Sequence, residues 1–66
     1  MGNRIPRTAT KLEVEYLINT SACKTGDKMI AEKTDHGWIG KHGEQSYFLF
    51  ISNLRNENFC KIKVIA

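Results

Sequence analysis

The sequence predicts a small all-β domain, a five-stranded antiparallel barrel with a flexible basic arm at its N-terminus. Three observations predict it. Short runs with a two-residue apolar period recur along the chain. Turn-forming clusters separate them at intervals of about ten residues, the spacing of small antiparallel barrels and sandwiches. The net charge of +3 sits in the first eleven residues, which carry Arg4, Arg7 and Lys11 and no acid.

Residues 1–10, MGNRIPRTAT, hold the only proline and no sustained period, so they read as the flexible arm. In residues 11–18, KLEVEYLI, Leu12, Val14, Tyr16 and Ile18 alternate with Lys11, Glu13, Glu15 and Leu17. This is a strand pattern. Thr10 and Glu13 have capping-box spacing, which keeps an alternative open. That alternative is an α+β fold, with a helix over about 10–20 on a three- or four-stranded antiparallel sheet. The apolar residues would scatter around such a helix, so the strand is preferred. Residues 19–27, NTSACKTGD, are turn-forming, with Gly26 suited to positive φ. Residues 28–33 suit a short strand, Asp35-His36-Gly37 a tight hairpin, and Trp38-Ile39 the start of the next strand. Residues 40–43, GKHG, read as another turn and Gln45–Ser52 as the strongest strand. Residues 53–58 read as a polar loop and residues 59–66 as the last strand, with Cys60, Ile62, Val64 and Ala66 on one face. The single domain thus covers residues 11–66.

The stretch SYFLF, residues 46–50, is apolar on both sides. In a strand, Tyr47, Leu49 and Ile51 line one face, and Phe48 and Phe50 the other. A 66-residue chain has little material with which to cover two faces. Such a domain must curl up or recruit a partner.

The composition is that of a soluble domain, 41% apolar and 26% charged. No apolar run is long enough for a membrane span, and the basic N-terminus has no apolar segment behind it. The chain therefore reads as a complete small cytoplasmic protein, with Cys23 and Cys60 as free thiols. Beyond residue 11, seven bases face seven acids, so the body is neutral.

Residues 32–41, EKTDHGWIGK, resemble the acidic-turn, Gly-Trp hairpin of Src-homology-3 domains, and Ser52-Asn53 is faintly similar to a later motif of that family. The likeness covers about ten residues. It implies a barrel-like hairpin, in a domain the size of those or of oligonucleotide-binding folds. The family's N-terminal aromatic motif and the proline before Ser52 are missing, so no binding residues are carried over.

Arg4 and Arg7 on a tail are suited to a minor groove or to phosphates. Lys11, Lys41, Lys61 and Lys63 would extend that patch, and Trp38 would stack a base. Phe48, Phe50 and Tyr47 suit a protein interface or a homodimer. Cys23, His36, His42 and Cys60 are zinc-ligand types without the usual paired spacing, so neither a metal nor another cofactor is expected. His36, His42, Glu44 and Tyr47 cluster around one hairpin. Acid–base chemistry of the kind in metal-free ribonucleases is conceivable there, yet the chain offers little room for a water-excluding pocket, and it is not read as an enzyme. Three functions follow, in this order: a small regulatory module binding DNA or RNA, a protein-binding inhibitor or adaptor of the kind mobile elements encode, and a small ribonuclease.

Overall fold

A computed structural model describes residues 2–21 and 23–66. Five strands form one antiparallel sheet: β1 (Lys11–Tyr16), β2 (Lys28–Thr34), β3 (Gly37–His42), β4 (Gln45–Leu49) and β5 (Cys60–Val64). A one-turn helix, α1 (Ile51–Leu54), separates β4 from β5. The strand order is β4-β3-β2-β1-β5. The all-β expectation holds and residues 11–16 are a strand. The sheet is open, with β4 and β5 as its two edges.

The alternation in KLEVEY sets the first face. Leu12, Val14 and Tyr16 are buried while Lys11, Glu13 and Glu15 are half-exposed. The antiparallel register carries that face across the sheet. Leu12 stands opposite Ala31 and Val64, and Val14 opposite Met29 and Ile62. Trp38, Gly40 and Leu49 continue the buried side on β3 and β4.

Segments between the strands cover this face. Ala9, Cys23 and Leu54 are buried in the same cluster, and Ile5 and Phe59 pack against it. Residues 2–10, expected to run free, are instead docked. The side-chain amide of Asn3 donates to the carbonyls of Leu54 (3.0 Å) and Cys60 (2.8 Å), and its backbone N–H donates to Arg55 O (2.8 Å). The physical reason is the open sheet. Without closure its buried side needs a lid, and the nearest apolar material is Ile5 and Ala9.

Two boundaries differ from expectation. β3 runs on to His42, so the expected turn at residues 40–43 shrinks to Gly43-Glu44. Gly40 is there for close approach: a Cβ on it would lie 2.5 Å from Met29 Sδ and 2.8 Å from Leu49 Cδ1. The strand expected over Gln45–Ser52 stops at Leu49. The Phe50 carbonyl accepts N–H donors from Asn53 (3.0 Å) and Leu54 (3.1 Å), which turns the chain and drops Leu54 into the core. Among the described residues no helix is long and apolar enough to cross a membrane.

Candidate functional site

The face of the sheet away from the lid collects the other half of each alternation. From β5 to β4 it carries Lys61 and Lys63, then Lys11, Glu13 and Glu15, then Lys28, Ile30 and Glu32, then Ile39 and Lys41, then Ser46 and Phe48. Five lysines against three glutamates leave +2. Opposite charges stand across the strands. Lys63 faces Glu13, Glu15 lies between Lys61 and Lys28, and Lys11 Nζ sits 3.9 Å from Glu32 Oε1. Exposed pairs of this kind contribute little stability, but they balance the face and leave no uniform basic surface.

The apolar residues of this face gather at the β4 end. Phe48 stands opposite Ile39 in register. Its ring lies over Gly37, where a Cβ would be 3.3 Å from two ring carbons, and Gly37 has φ of 119°, in the region that favours glycine. Phe48 and Phe50 meet edge-on, with ring centroids 5.2 Å apart and planes 79° apart. They are 50% and 59% exposed, and the neighbouring Ile51 is exposed too.

This aromatic pair borders an unpaired sheet edge. His42 and Gln45 close the two-residue Gly43-Glu44 connection, so Gln45, Tyr47 and Leu49 direct their backbone groups at β3. The alternation then directs the N–H and C=O of Ser46 and Phe48 outward. No charge or proline blunts β4, which reads QSYFL.

The residues expected to bind nucleic acid are divided between the two sides of the sheet. Lys11, Lys41, Lys61 and Lys63 lie on the outward face. Arg4 and Arg7 sit on the docked arm at the lid side, where Arg4 and Arg55 border a depression with Asn3, Ile5 and Pro6. Trp38 is 5% exposed in the core, so it has no free ring face for a base. Tyr47 is half-buried on the lid side, away from Phe48, and its hydroxyl donates to Gln45 Oε1. The histidines part company as well. His36 precedes β3 and His42 ends it, about 20 Å apart along an extended strand.

Both cysteines are buried and free. The Cys60 thiol donates to the carbonyls of Asn53 (3.5 Å) and Leu54 (3.7 Å), and burial pushes its pKa up. Tyr16 is pushed up as well, first by burial and then by the neighbouring Cys23 and Cys60. Both groups therefore hold their protons longer in the folded chain than in the unfolded one. The thiol's stabilising contribution is whole below its ordinary value of about 8.5 and the phenol's below about 10, and each is lost as pH rises through that group's raised folded value. Urea midpoints are expected to fall as pH rises above about 8.5, and Cys60→Ala should flatten the first part of that fall. An unchanged slope in Cys60→Ala would refute the assignment to this thiol.

Among the described residues, one group of metal-ligand side chains does converge: Cys23, Asp27 and His42. Asp27 is the member that sequence spacing did not bring forward. It sits in a turn cluster, and the Tyr16 N–H bond to the Asp27 carbonyl (2.9 Å), with the Gly26 N–H bond to the Tyr16 carbonyl (2.8 Å), ties that turn to the end of β1. His36 and Cys60 are not part of the group. Comparison with protein-family models, curated proteins and solved structures finds no match to this chain.

Proposed function

We propose that this domain is a protein-interaction module, an inhibitor or adaptor that takes an extended segment of another chain along β4. The exposed Phe48–Phe50 pair beside an unblunted edge carries this reading. Main-chain hydrogen bonds to Ser46 and Phe48 would supply affinity. Apolar side chains seated on Phe48, Phe50 and Ile39 would supply selectivity, as in other strand-addition interfaces. The free thiols at Cys23 and Cys60 suit a reducing compartment, and we place the module in the cytoplasm.

Phe48→Asp and Phe50→Asp are expected to abolish partner capture or self-association. Far-ultraviolet circular dichroism and the urea midpoint should stay near wild type, because neither ring is in the core. Light scattering after gel filtration, alone and with candidate partners, reads the first effect. Loss of folding in both variants would make the rings part of the core and end the proposal. Nucleic-acid binding is the second reading, favoured by aromatic rings next to Lys41 on one sheet face. Adding short single-stranded DNA and RNA to the same runs separates it, since only that reading predicts a complex that weakens steeply with salt.

A further inference from the structure

Loop 17–27 folds back onto the lid side of the sheet and buries Cys23, which is 2% exposed. His42 follows Trp38 and Gly40 on that same side of β3. The two segments bring three unlike donors together: a thiol, a carboxylate and an imidazole. Their ligand atoms all lie within 4.8 Å of one another.

Each donor is held from behind. The Cys23 N–H donates to Thr20 Oγ1 (2.9 Å), and the Thr20 N–H and hydroxyl donate to the Cys23 carbonyl (2.6 and 3.1 Å). Asp27 accepts the Lys24 N–H on Oδ2 (2.8 Å) and donates its own N–H to Lys24 O (2.9 Å). Its carboxylate has a second oxygen to offer. His42 is placed by strand pairing with Gln45.

We infer that Cys23, Asp27 and His42 form a binding site for a divalent cation of the zinc class, with solvent at the fourth position. Sulfur, nitrogen and oxygen donors together suit zinc and cobalt(II) rather than magnesium or calcium. A tetrahedral centre sets such donors about 3.3–3.6 Å apart, so these need to draw in by only ~1 Å. Asp27 and His42 are half-exposed, which gives an ion a path in and leaves room for a water. Cys23 and Asp27 are four residues apart and His42 follows fifteen later, so the ion would tie the longest loop to the end of β3. A domain this small gains much from such a staple. On binding, the metal–sulfur bond replaces the Cys23 S–H bond and the proton passes to solvent; nothing is oxidised or reduced. The site lies across the sheet from Phe48 and Phe50, so it stands independently of the interaction surface.

The test is titration of the reduced full chain with cobalt(II), followed by displacement with zinc. A sulfur-to-cobalt charge-transfer band and the visible bands of tetrahedral cobalt are expected to saturate at one equivalent. Cys23→Ser should abolish the charge-transfer band and Cys60→Ser should keep it. His42→Gln, at a half-exposed strand end, should fold and should weaken zinc binding at least about ten-fold, the loss that even an outer-shell contact produces. Zinc should raise the melting temperature of the wild type clearly more than that of His42→Gln at the same zinc concentration. The inference is overturned by the absence of any band, by a band that disappears with Cys60 rather than Cys23, or by an equal zinc-induced rise in melting temperature in wild type and His42→Gln.

Discussion

Trp38→Ala is expected to unfold most of the protein under conditions in which the wild-type chain is folded. The indole is 5% exposed and belongs to the central cluster. It stands opposite Leu49 on β4 and Lys33 on β2, so its removal opens the joint between the edge strand and the rest of the sheet. The neighbouring buried position on β3 is Gly40, which has no side chain to lean into the space. Truncating a buried Trp costs about 3–5 kcal/mol. A chain of this length has about 3–10 kcal/mol in total. The variant therefore sits near or past its unfolding midpoint in water. Trp38→Phe should recover much of the loss by refilling the space. Urea unfolding followed by far-ultraviolet circular dichroism reads both. A Trp38→Ala protein with the wild-type midpoint would mean that the indole is a surface group, as a base-stacking role requires.

The contrast at Trp38 shows what the sequence could convey. Alternation is a local property, and where it was clean it placed residues well. KLEVEY became β1 with its two faces as read, and Asp35-His36 became a hairpin turn. β3 has no such signal, because its lid-side positions are Trp38, Gly40 and His42. Gly40 reads as a turn residue until Met29 Sδ and Leu49 are seen against it, and those are contacts between strands. The same limit applies to α1. Ile51 continues the alternation of Tyr47 and Leu49, and nothing local says that Leu54 will be the residue to turn inward. SYFLF announced a face in need of cover, and the register decided that this face holds Phe48 and Phe50 while the chain covers the other. Cys23, Asp27 and His42 meet only because loop 17–27 returns over β3. Their convergence is a product of topology, which a spacing rule for paired ligands does not anticipate.

A chain lacking residues 2–9 is expected to be largely unfolded, and this loss should have little to do with charge. Asn3 binds two carbonyls that belong to different elements, Leu54 of α1 and Cys60 of β5. Removing its amide leaves both acceptors without this donor in a part-buried place, which costs about 1–3 kcal/mol. Ala9 is buried and Ile5 half-buried, and without them Leu54 and the β5 end of the core meet water. At about 25 cal/mol for each Å² of apolar surface, uncovering on the order of 100 Å² adds a further ~2.5 kcal/mol. The sum is comparable with the whole stability of so short a chain. Point variants separate packing from charge. Asn3→Ala should lower the urea midpoint clearly, whereas Arg4→Ala and Arg7→Ala, both exposed, should shift stability by no more than about 0.5 kcal/mol. If the truncated chain keeps the wild-type midpoint, the arm is a free appendage and the lid must be credited to α1 and loop 17–27 alone. If it unfolds as expected, any lost binding in an arm deletion reports a lost fold, and the basic residues of the arm have to be tested one at a time in the intact chain.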